Sequence, residues 1–158
     1  ADGIPSHSIW VIVSGGADED IANAIYQKRN AGCGMKGDQT YTITQIDGSP
    51  FVVRWDDVVS EDLYIDFDVE PLDGVTPVNT SLIIEELPEI FTPGVYEQVN
   101  TNELATLVQQ IDPNALVSNA GFSTASEGPY TDTLTPTAKN NIFSITSDNI
   151  SINEGPYS

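Results

Sequence analysis

The chain of 158 residues holds one cysteine, one histidine, one methionine and only five basic side chains. Each scarcity removes a class of explanation. With Cys33 alone, no disulfide can close within the chain, and a reducing cytoplasm during folding is compatible with that. With His7 the only imidazole, no zinc-type His/Cys spacing exists, and a Ser-His-Asp or Cys-His site has no local motif to announce it. No apolar run approaches the ~20 residues that span a bilayer. The opening Ala1-Asp2-Gly3-Ile4-Pro5 has neither the basic nor the apolar region of a signal peptide. It also lacks an initiator Met, so a trimmed protein or a piece of a longer chain is expected. The few cations face 24 carboxylates, for a formal charge of −19. That field repels nucleic-acid phosphates and anionic membranes, and neither is expected as a partner.

What is present fits a folded protein. An apolar fraction of 39% and many β-branched residues suit one ordinary domain or two small ones, not an acidic disordered tail. Lys28, Arg29, Lys36 and Arg54 all fall in the first third, and only Lys139 follows. The later segment is thus strongly electronegative, which suits solubility, a basic partner, or a saline or calcium-rich medium.

Periodicity gives the order of elements. Ser8 to Val13 reads as a buried strand ending at the turn Ser14-Gly15-Gly16. Asp18-Glu19-Asp20 then stand where a helix N-terminus favours negative charge. Ile21 and Ile25 share one helical face, and Lys28 and Arg29 complement the last turn. Asn30 to Gly34 ends the helix. Tyr41 and Ile43 alternate with threonines, Asp47-Gly48 is a hairpin turn, and Phe51, Val53 and Trp55 alternate on the return. Leu63, Ile65, Phe67 and Val69 face one side of a strand and Asp66, Asp68 and Glu70 the other, which predicts a sheet buried under the helix at 18–30. Pro71-Leu72-Asp73-Gly74, followed by Pro77, is the linker candidate, dividing the chain into modules 1–72 and 73–158. Beyond it, Thr80 or Ser81 is expected to cap a helix holding Leu82, Ile83, Ile84 and Leu87, with Pro88 at its end or at a kink. A second helix is expected at about 101–111, then short strands at 115–119, 141–146 and 149–152, and a Ser/Thr/Gly/Pro-rich loop at 121–137. The expected fold class is α+β: small mixed modules with antiparallel hairpins packed on helices.

Several groups of residues are candidates for chemistry. His7 precedes a strand without a partner motif, and a surface or capping role is the plainer one. Cys33, in Ala31-Gly32-Cys33-Gly34-Met35, has no obvious activating neighbour. Gly15-Gly16 and Gly32 to Gly37 match no phosphate-binding spacing and serve as turns. Asp56, Asp57, Glu61 and Asp62 form an acidic loop, and Asp66, Asp68 and Glu70 an acidic strand face. Such density of hard oxygens suits calcium, but the EF-hand pattern is absent, and alternate acids on a strand usually form its solvated face.

The same residues carry a resemblance. His7-Ser8-Ile9-Trp10-Val11-Ile12-Val13, Gly15-Gly16, the run Ile21-Ala22-Asn23-Ala24-Ile25-Tyr26-Gln27-Lys28, Ala31-Gly32 and Gly37 resemble the baseplate J-like family of contractile-tailed phages. Thr40 to Thr44, Asp47-Gly48 and Val53-Arg54-Trp55 are similar to that family's next hairpin. Phe91, Pro93-Gly94-Val95, the helix from Asn102 and Ala115 to Gly121 are similar more loosely. A departure is Asp56-Asp57-Val58, where the family often has an Arg-Pro pair, so the contacts of that edge need not follow the family.

The resemblance implies a wedge protein of a Mu-type baseplate, of which this chain would be the C-terminal portion. It implies a structural role in the tail of the virion, assembled in the host cytoplasm. The implied partners are other baseplate and tail proteins, with copies of the chain associating within a wedge. The family offers no catalytic residue to carry over. The expectation is therefore a non-enzyme with no catalytic, cofactor-binding or metal residues assigned and no cofactor. The competing expectation, from composition, is an extracellular acidic calcium-dependent binding module.

Overall fold

The computed structural model describes residues 4–155. Among these, three α-helices and twelve strands form an α+β fold that divides into two compact units, meeting in sequence at Val59/Ser60. The boundary lies ahead of the Pro71–Gly74 linker expected from sequence. The strand just before that linker pairs wholly with later strands, so it belongs to the second unit.

The first unit begins with β1 (Ser8–Trp10) and β2 (Ile12–Val13), one extended segment whose neighbour changes midway. β1 pairs in parallel with β3 (Gly34–Lys36), and β2 pairs in parallel with β5 (Pro50–Asp57). The sequence predicts a buried strand here; Ile9 through Val13 are only half-buried, because among the described residues strands flank one of its edges and not the other. β4 (Gln39–Thr44) and β5 form the expected hairpin, in register from Gln39 opposite Trp55 to Thr44 opposite Pro50. Its turn is closed by Asp47, whose Oδ1 accepts from the Ser49 amide at 2.9 Å and hydroxyl at 2.6 Å. α1 (Asp18–Lys28) lies on this sheet, and Ala22 and Ile25 bury against Val53 and Trp55. A Cβ at Gly37 would overlap the Trp55 backbone, so only glycine lets β3 run this close to β5.

The second unit is built on a three-stranded sheet with β7 (Tyr64–Pro71) at its centre. β9 (Ala115–Ser123) flanks it antiparallel and β12 (Ile150–Glu154) parallel. α2 (Thr80–Ile90) and α3 (Thr101–Ile111) contribute Ile83, Leu87, Leu104 and Val108 to one core with Leu63, Ile65, Phe67 and Val69. This corrects the sequence expectation. The apolar face of β7 packs under α2 and α3, not under the helix near residues 18–30. Two further pairs complete the unit: β6 (Val59–Asp62) with β11 (Asn141–Ser144), and β8 (Val99–Asn100) with β10 (Thr133–Leu134).

The helix ends follow local chemistry. Asn79, not Thr80 or Ser81, caps α2 by accepting from the Leu82 amide, and Asn100 caps α3 by accepting from Glu103. α2 continues through Pro88 to Ile90. Pro88 has no N–H to donate to the Ile84 carbonyl one turn back, and the Ser147 hydroxyl donates to that carbonyl instead, at 3.1 Å.

Candidate docking groove

In the first unit, the alternation of a strand and the pitch of a helix leave a shared apolar cleft. Ile9, Val11 and Val13 project from one face of the 8–13 segment, since side chains two apart share a face. Opposite them stand Ile21, Ala24 and Ile25 of α1, and the cleft between measures about 410 Å³. Lys28 and Arg29 close the end nearest Ile9. The orientation follows from the connections: residues 14–17 turn the chain back, so the C-terminal end of α1 returns beside the start of β1.

Arg29 departs from the role expected for it. The helix ends at Lys28, and Arg29 leaves it with extended backbone. Its guanidinium lies 4.2 Å from the ring centroids of both Tyr26 and Phe51, which meet edge to face at 5.3 Å. Its Nε is buried without a hydrogen-bond partner. An arginine suits such a place because its planar, weakly hydrated cation stacks on aromatic faces. The cation therefore fastens the end of α1 to the hairpin while forming part of the groove wall.

The backbone of the same segment is half-used. The carbonyls of His7, Val11 and Val13 accept from the amides of Gly34, Asp56 and Val58. Backbone groups alternate along a strand, so those of Trp10 and Ile12 point to the opposite edge, where no described strand pairs. On the face away from the groove, Trp10 donates from Nε1 to Asp56 Oδ2 at 2.6 Å and carries Lys36 4.4 Å from its ring centroid.

The other candidates separate. His7 and Cys33, far apart in sequence, line one cleft of about 380 Å³ with Ser8 and Asn30. There the Cys33 thiol donates to the Gly34 carbonyl at 3.4 Å, and the His7 carbonyl accepts from Gly34. The acidic loop expected at 56–62 is instead two strands, and its acids take separate partners. Asp56 accepts from Trp10 and from the Asp38 amide, while Glu61 Oε2 accepts from the Thr137 amide and hydroxyl and from Asn141. On the acidic face of β7, Asn119 donates to Asp68 at 2.7 Å, and Asn153 donates to Asp68 at 3.2 Å and Asp66 at 3.4 Å. Among the described residues no group of three or more His, Cys, Asp or Glu is disposed to hold a metal ion.

Asp73, in the loop after β7, shows what such local bonding does. Hydrogen bonds from the Thr76 side chain and from the Val75 and Thr76 amides stabilise its charged form and hold its pKa at about 2. The Ser49 bonds lower Asp47 in the same way. Tyr130 is shifted upward, chiefly by burial and then by the negative charges of Asp66 and Glu127.

Nothing in the sequence pattern marked the groove. The available signal is two apolar faces in one short stretch, Ile9, Val11 and Val13 on the strand and Ile21 and Ile25 on the helix. No family model matches this chain, and no curated protein matches it.

Proposed function

We propose that the chain is a structural component of a phage-type contractile tail baseplate, a wedge protein acting in assembly through protein–protein contacts within the virion tail. The observation that carries the reading is the groove. An apolar cleft beside an unpaired strand edge is what a protein keeps when a neighbour is to cover it, because monomers ordinarily bury or blunt such features. The residues that resemble the baseplate J-like family, 7 to 55, coincide with the unit that holds the groove, residues 4–59. The sixteen carboxylates and one lysine of residues 60–158 add a strong negative charge suited to selecting a basic neighbour and repelling others.

Co-expression of the full chain with the products of its neighbouring genes, followed by co-purification and electron microscopy, tests the reading. Stable co-purification with tail or baseplate products is expected. A chain that binds none of them and stays monomeric at all concentrations would overturn it.

A further inference from the structure

The free edge and the ends of α1 are self-complementary. Two copies related by a two-fold axis through Val11, perpendicular to the sheet, would meet edge to edge and antiparallel. In that register the outward backbone groups of Trp10 pair with those of Ile12 in the other copy, and those of Ile12 with those of Trp10. Val11 then faces Val11 across the axis and Ile9 faces Val13, so the two apolar floors become continuous.

The charges agree with the same symmetry. α1 begins with Asp18, Glu19 and Asp20 beside the Val13 end of the edge and finishes with Lys28 beside the Ile9 end. Antiparallel pairing sets the Lys28 end of each helix on the side of the other's acidic turn, twice by symmetry. Docking through this unit also brings together the less charged part of the chain. Residues 1–59 carry eight carboxylates and four cations, a net −4, whereas residues 60–158 carry a net −15.

We propose that a second copy of this chain docks on the free edge of residues 8–13, forming a two-fold dimer by β-strand addition. The proposal deepens the assembly reading, resting on it for the expectation that copies associate. It names the surface on which they do.

The test is light scattering and sedimentation of the full chain across a concentration series. A dimer is expected, and Ile12→Pro, which removes an outward N–H but no bond of the existing ladder, should abolish it while circular dichroism stays native. A second pair of variants avoids the strand altogether. Lys28→Glu should weaken the dimer roughly tenfold, since two symmetric contacts are lost together, and adding Glu19→Lys should restore it. Both side chains are exposed, so folding is not at stake. A chain monomeric throughout overturns the proposal, and if it still co-purifies with tail proteins, the assembly reading stands without it. A dimer indifferent to Ile12→Pro, or to the charge reversal and its rescue, also overturns the proposal, because copies then meet elsewhere.

Discussion

The two units use apolar residues in opposite ways. Residues 60–155 enclose fifteen buried hydrophobic side chains in one cluster, whereas residues 4–59 enclose four, with Tyr41, Ile43, Phe51 and others only half-covered. The larger unit sandwiches a central strand between two partner strands and two helices, so β7 is covered on its edges and on its apolar face. The smaller unit sets a single helix of eleven residues on a sheet too wide for it. Small domains bury a smaller share of their surface, and here Ile9, Val11 and Val13 of the first strand are among the apolar side chains left bordering an open cleft. The difference lies in how far each core closes: the larger unit buries both edges and the apolar face of its central strand, and the smaller leaves an apolar cleft between strand and helix.

The largest expected effect tests whether the cores are separate. Phe67→Ala should destabilise the second unit by about 3–5 kcal/mol, as a large cavity at a fully buried site does. Ile25→Ala should destabilise the first by about 2 kcal/mol, near the low end, because Ile25 borders the open groove. Both tryptophans, Trp10 and Trp55, lie in the first unit, so their fluorescence follows that unit alone while far-ultraviolet circular dichroism follows both. Urea unfolding of Phe67→Ala should move the dichroism transition and leave the fluorescence transition in place. Equal movement of the two would mean that the cores unfold as one, and the comparison would fail.

A smaller effect is expected at Arg29. Replacing it with Ala removes the cation over Tyr26 and Phe51 and should cost the first unit about 1–2 kcal/mol, visible in the fluorescence transition. Lysine should recover little of this, since its ammonium cannot stack as a plane. If Arg29→Lys were as stable as the original, the aromatic stacking would not be what holds the end of α1.

The smallest effect is local and lies outside both cores. The pKa of Asp73 is depressed from the ordinary 3.8 to about 2, so its ionised form is favoured by folding. Its contribution is therefore complete above about pH 4 and is lost as the pH falls through about 2. Carbon-detected titration of its carboxyl should report a midpoint near 2, with the amide signals of Val75 and Thr76 moving alongside it. An ordinary midpoint would mean that the loop does not hold the hydrogen bonds described. Asp73→Asn should flatten that dependence without disturbing either core.

Much of the fold was legible. The α1 and α3 spans, the β4–β5 hairpin and the alternation in β7 follow from patterns that act within a few residues: helical faces, an Asp-Gly turn, period-two burial. The caps were less legible, because Asn79, Thr80 and Ser81 are all acceptable N-cap types, and only the placed backbone shows which one accepts from Leu82. The candidate site was hardly legible at all. Its strand reads as buried from Ile9, Val11, Ile12 and Val13, and no local property says that one edge will lack a neighbour.

The sequence by itself determined the three helices, the β4–β5 hairpin with its Asp-Gly turn and the two faces of β7, and that four of the five cations gather in the first third while carboxylates crowd the rest. Those are properties of neighbouring residues. Only the tertiary structure decided that β7 is covered by α2 and α3 rather than α1, that β12 returns some eighty residues later to pair with it, and that Arg29 lies over the rings of both Tyr26 and Phe51. An apolar face specifies that it will be buried but not by which partner, since hydrophobic burial has no direction. The strand at residues 8–13 follows the same rule: its side chains call for cover, and only the arrangement of the other strands, among the described residues, leaves one edge without a neighbour.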